Sequence, residues 1–130
     1  MSPTPSGLRV LLADDCQDTR RALALLLEMC GHQVLTAADG GEAVRQAEDF
    51  RPDVALLDIG IPVLSGYEVA ALLRWRGLAG RVIALTGRSG PGDPYTAAEA
   101  GFDDYLVKPC DPGRLVNLLR EAAASEPVSD

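Results

Sequence analysis

Five residues of this chain have types and spacing that could act together on one chemical group: Asp14 and Asp15, then Asp58, Thr86 and Lys108. Each stands where a short apolar run stops. Residues 9–13 run into the acid pair, 54–57 into Asp58, 81–85 into Thr86 and 105–107 into Lys108. Taken singly, each has an ordinary explanation, since an aspartate after a strand commonly caps the next helix and a lone lysine is commonly solvated. Gathered together, three carboxylates repel one another, and a divalent cation relieves that repulsion. Oxygen-only donors suit Mg2+, which keeps several waters and favours sites shared with phosphate. A carboxylate in such a site can attack a phosphoryl group and carry it as an aspartyl phosphate. The lysine ammonium and the threonine hydroxyl would face the charge spread over the phosphoryl oxygens, so catalysis would rest on placement and electrostatics. Asp58 is the best nucleophile candidate, because it ends the middle strand. Of the 12 basic residues only Lys108 is a lysine. A compact ammonium there does what a planar guanidinium fork cannot, so arginine is not expected to replace it.

The elements that would position these groups alternate along the chain. Apolar runs at 9–13, 33–37, 54–57, 81–85 and 105–107 read as strands. Leu23, Leu26, Leu27 and Cys30 recur on one helical face, and Gly31 stops that helix. Residues 42–50 read as a helix with Ala43, Val44 and Ala47 inward, ended by Pro52. Residues 66–76 read as a helix with Val69, Leu72 and Leu73 inward. A short helix is expected at 95–100, started by Asp93 and Pro94, and a last one after Asp111 with Leu115, Leu118, Leu119 and Ala122 on one face. Five strand-then-helix units force a parallel sheet covered by helices on both faces. The strands are nearly all apolar rather than alternating, as expected when both faces are covered. Five units are too few for a closed barrel, so the sheet is open and doubly wound, with its working crevice at the carboxyl ends of the strands.

Composition narrows the function classes. The chain has 130 residues, 47% hydrophobic and 24% charged, which suits one globular domain. The domain is expected over 8–124, between polar tails at 1–7 and 125–130. The longest apolar run, 22–27, is far too short to span a bilayer, and no secretory signal is read, so a cytoplasmic location is expected. A net charge of −7 with only 5% aromatics disfavours direct nucleic-acid binding. His32, the single histidine, cannot by itself build a histidine-rich metal site. Cys16, Cys30 and Cys110 lack metal-type spacing and read as reduced thiols, with Cys16 and Cys110 expected to be buried and inert. Trp75 and Phe102 are expected to pack in the core or partly at the surface rather than to form a recognition site.

The chain resembles the receiver domain of bacterial two-component response regulators. The matching residues are Asp14 and Asp15; Asp58 with Ile59, Gly60, Ile61 and Pro62; Gly66, Tyr67 and Glu68; Ala84, Leu85, Thr86 and Gly87; and the run from Ala100 to Pro109. The resemblance covers roughly residues 8–124. It implies a flavodoxin-like sheet of order 2-1-3-4-5 with five helices on two faces. It implies that Asp58 accepts phosphoryl from a phosphohistidine of a sensor histidine kinase or a phosphotransfer protein. Mg2+ would be bound by Asp15 and Asp58, by Asp14 mainly through water, and by the backbone carbonyl of Gly60. Lys108 would pair with the phosphoryl group, and the bond to Pro109 would be cis. Thr86 and Tyr105 would move together as a switch, changing the face offered to a partner as a population shift. The implied protein is a signalling switch, free-standing or part of a larger regulator or hybrid kinase, and a monomer or weak dimer.

Departures from the family pattern are also visible. Gly60 has no side chain where one usually screens the phosphoryl group, and Arg88 is expected to reach into that gap and tune the lifetime of the aspartyl phosphate. The glycine-rich stretch 88–94 differs from the usual fourth helix. Two other classes compete. A phosphohydrolase with an aspartate nucleophile needs an acid where Gly60 stands, and a flavodoxin-like electron carrier needs a Ser/Thr/Gly-rich loop where Asp14 and Asp15 stand.

Overall fold

Short aliphatic runs become strands here because both of their faces are covered. The computed structural model describes residues 7–61, 65–86, 101–107 and 111–124. Within these, the elements run β1 (Arg9–Ala13), α1 (Gln17–Met29), β2 (Gln33–Ala37), α2 (Gly40–Phe50), β3 (Val54–Asp58), α3 (Gly66–Arg76), β4 (Arg81–Thr86), β5 (Asp104–Val107) and α4 (Pro112–Ala124). All strand pairs are parallel, in the order β2-β1-β3-β4-β5. This is the expected doubly wound sheet, with β3 in the middle. The expected helix at 95–100 lies outside the described residues, as do most of both expected tails.

Alternate residues of each strand face opposite layers. Leu11, Ala13, Ala55, Leu57, Val82 and Ala84 pack with Ala43 and Ala47 of α2 and with Val69, Ala70 and Leu73 of α3. Val10, Leu12, Val54, Leu56, Ile83, Leu85 and Leu106 pack with Leu27 of α1 and with Leu115 and Leu119 of α4. The first layer is rich in alanine and the second in leucine, so each face is filled by a different mix of volumes.

Several element bounds differ from expectation. Asp58 and Thr86 are the last residues of their strands rather than the first beyond them. The helix expected from residue 42 begins at Gly40, because Asp39 caps it by accepting from the Glu42 N–H at 2.8 Å. On α1, Leu27 is fully buried and Leu23 and Leu26 only partly so. Gly31 follows the helix with a φ of 96°, the left-handed geometry expected of a stop. The packing expected of Phe102 holds: it is buried edge-on to Tyr67, with ring centroids 6.0 Å apart. Trp75 departs from expectation, being 84% exposed. It lies two residues past the buried Leu73, on the opposite side of a helix with 3.6 residues per turn.

Candidate functional site

Strand register brings the acids together. β1 and β3 pair with Ala13 opposite Leu57, so the next residues, Asp14 and Asp58, come level at the carboxyl edge of the sheet. One carboxylate oxygen from each of Asp14, Asp15 and Asp58 lies within 4.8 Å of the others. Asp14 is fully buried, Asp58 half-buried and Asp15 exposed, so the cluster opens to solvent on one side.

Backbone groups hold each acid in place. The Asp14 N–H donates to the carbonyl of Ala37 at 3.1 Å, extending the ladder to β2. Its Oδ1 accepts from the N–H of Cys16 at 2.9 Å, and its carbonyl accepts from Nη1 of Arg20 at 2.8 Å. Asp58 Oδ1 accepts from the Gly60 N–H at 3.0 Å, which folds the loop back onto the carboxylate. A Cβ at Gly60 would stand 3.9 Å from that oxygen, so a side chain there would start in contact with Asp58. The loop is pinned by buried Ile59 and Ile61, and by the Ile59 N–H donating to the Leu85 carbonyl at 3.1 Å.

The start of α3 presses against this loop. The Gly66 N–H donates to the Ile59 carbonyl at 2.9 Å, and a Cβ at Gly66 would meet the Asp58 carbonyl oxygen at 2.7 Å. Only glycine permits that approach. Ser65 closes the helix end with a capping box: its Oγ accepts from the Glu68 N–H at 3.2 Å, and Glu68 Oε1 accepts from the Ser65 N–H at 2.9 Å.

Thr86 ends β4 opposite Val107 at the same edge of the sheet. Val107 directly precedes Lys108 in the chain. Lys108, Pro109, Cys110 and Arg88 lie outside the described residues. Tyr105 is half-buried on β5, opposite Ala84, and packs against the layer beneath α2 and α3. Cys16 departs from expectation: it is exposed at the start of α1, beside the acid pair. The Thr19 side chain, with the N–H groups of Thr19 and Asp18, holds its thiol below the ordinary value. Cys16 is the extended residue that directly precedes α1, where the chain has left the sheet.

The donor set fits Mg2+. Three carboxylates offer hard oxygen ligands only, and one side is open for waters or a phosphoryl group. Oxygens around an octahedral Mg2+ stand about 3–4 Å apart, so carboxylates already within 4.8 Å of one another need little movement to share an ion. Sequence reading missed Arg20, Ser65 and the close approach at Gly66. The spacing of Ser65 and Glu68 was a usable capping signal, whereas nothing local marks Arg20.

Residues 10–120 match the family model of the response regulator receiver domain. The chain belongs to this family. As a receiver domain it is a phosphoacceptor of two-component signalling. Among curated proteins it is 45% identical over 124 residues to the transcriptional regulatory protein PrrA of Mycobacterium leprae, covering 92% of this chain and 53% of that protein. It is 35% identical over 126 residues to the alkaline phosphatase synthesis transcriptional regulatory protein PhoP of Bacillus subtilis, covering 94% of this chain and 52% of the relative. The receiver chain thus spans about half the length of these relatives. Among solved structures, the receiver domain of sensor histidine kinase PA1611 from Pseudomonas aeruginosa superposes with a TM-score of 0.82 at 35% identity, over 92% of this chain and 99% of that one. That structure holds a magnesium ion coordinated in its active site cleft. The chemotaxis response regulator CheY4 of Vibrio cholerae superposes with a TM-score of 0.81 at 30% identity, over 89% and 98% of the two chains.

Proposed function

We propose that this receiver domain accepts a phosphoryl group on Asp58 from a phosphohistidine of a sensor histidine kinase or phosphotransfer protein. The observation that carries this reading is the meeting of the Asp14, Asp15 and Asp58 carboxylates at the carboxyl edge of the sheet. A carboxylate oxygen of Asp58 attacks phosphorus, a P–O bond forms, the P–N bond breaks, and the freed imidazole takes up a proton. Asp14, Asp15, Asp58 and the Gly60 carbonyl would hold Mg2+, which when bound would offset charge on the phosphoryl oxygens. Lys108 pairs with the phosphoryl group in this reading, and Thr86 donates to it. Movement of Thr86 and Tyr105 then shifts the population toward a state with a changed partner face. The net charge of −7 keeps the domain itself off nucleic acid. Among the described residues no helix is long and apolar enough to cross a membrane.

The test is intact-mass measurement after incubation with Mg2+ and acetyl phosphate. Mass is the better reporter, because Trp75 lies nine residues beyond Gly66, roughly 13 Å along α3 from the site. The wild-type chain should gain one phosphoryl group, and both the Asp58→Asn variant and EDTA treatment should abolish the gain. Phosphoryl uptake by Asp58→Asn would overturn the assignment.

A further inference from the structure

The carbonyl of Asp14 stands one residue past the end of β1. The residue is fully buried, and a buried carbonyl needs a partner. Arg20, one turn into α1, supplies it: Nη1 donates to this oxygen at 2.8 Å. The same Asp14 is held by its N–H on Ala37 and by its Oδ1 on the Cys16 N–H. The peptide leading into Asp15 is therefore fixed from the helix side by Arg20. Asp15 is exposed, so the direction of its carboxylate depends on that peptide.

We propose that Arg20 is a positioning residue of the metal site: its guanidinium, seated on the Asp14 carbonyl, fixes the turn that aims the Asp14 and Asp15 carboxylates at Asp58. The inference rests on the reading that this cluster holds Mg2+. Two effects of Arg20 oppose each other. Its positive charge repels a cation, whereas its hydrogen bond preorganises the ligands. Arg20 is part-buried and can be screened by water on its open side, which weakens the charge effect. The hydrogen bond is short and ends on a buried group, so preorganisation wins. Partners that orient metal ligands in this way typically cost about 10–100-fold in affinity when removed. Arg20 holds a backbone carbonyl rather than a ligand atom, which puts it at the low end, about tenfold.

The experiment titrates the full chain with MgCl2 and follows the amide signals of Asp15, Cys16 and Gly60. Arg20→Ala should weaken Mg2+ binding about tenfold and speed hydrogen exchange of the metal-free Cys16 N–H. Arg20→Lys, which keeps a donor and the charge, should recover most of both. A purely structural role would lower the midpoint without selectively affecting Mg2+. Unchanged or tighter Mg2+ binding in Arg20→Ala overturns the proposal while the wild type still binds. A wild type that binds no Mg2+ overturns the metal reading and this proposal with it.

Discussion

The Cys16 thiol shows how far a residue's fate depends on its immediate backbone. It sits one residue past Asp15, exposed, with Thr19 and the open N–H groups of the first helical turn favouring its thiolate. Cys30, by contrast, is half-buried at the other end of α1. A depressed thiol value means more thiolate at a given pH, so Cys16 should alkylate faster than Cys30 at pH 7. The advantage should be largest near neutral pH, where a lowered thiol value raises the Cys16 thiolate fraction most. Peptide mapping after a limited iodoacetamide pulse at several pH values checks this, and equal labelling at pH 7 would contradict it. Residue type and order sufficed to pick out Asp14, Asp15 and Asp58, because strand ends in an open α/β sheet share one edge. They could not tell a buried Cys16 from an exposed one, since exposure depends on where the chain turns after β1.

At the scale of elements, caps and close contacts decide how the acceptor is presented. Asp39 and Ser65 begin α2 and α3 through side-chain acceptance from the residue three positions on. Both spacings, Asp39 with Glu42 and Ser65 with Glu68, are local and legible in the chain. Gly66 is different, because its need for glycine comes from the Asp58 backbone, eight residues earlier. Gly66→Ala would force a methyl group against that carbonyl and against the Ile59 Cα, at 2.7 and 2.6 Å. Backbone has little freedom to yield, so the variant should lose about 1–3 kcal/mol. Urea unfolding followed by far-UV circular dichroism measures this loss, and an unchanged midpoint would show that the loop can give way. The strand readings held well because apolar runs of three or four residues, such as 10–13, 54–57, 82–85 and 105–107, have few other uses between polar turns. Their ends shifted by a residue, since ladder pairing reaches one step into Asp58 and Thr86.

For the molecule as a whole, stability comes from two layers of unlike composition on one sheet. The leucine-rich layer includes Leu27 with no exposed surface, while Leu26 only borders it. Leu27→Ala should therefore cost about 2–5 kcal/mol. Leu26→Ala should cost clearly less, because its solvated part loses nothing on truncation. Denaturant melts of the two variants compare them directly, and equal losses would contradict the burial described. Periodicity placed both leucines on the inner face of α1, but a face is broader than a contact. Which of its residues reaches the centre depends on how the helix is rolled against Val10, Leu12 and Leu56.

Chain order and residue chemistry were enough to determine an open parallel sheet, its working edge and the three acids on it. Alternating strands and helices admit few topologies, and side-chain types limit what an edge can bind. Only the tertiary structure decided how the acids are held: Arg20 on the Asp14 carbonyl, Gly60 against the Asp58 carboxylate, and α3 fitted against the acceptor loop at Gly66. Those contacts depend on distances between backbones that meet after the elements dock, and no local pattern encodes such distances.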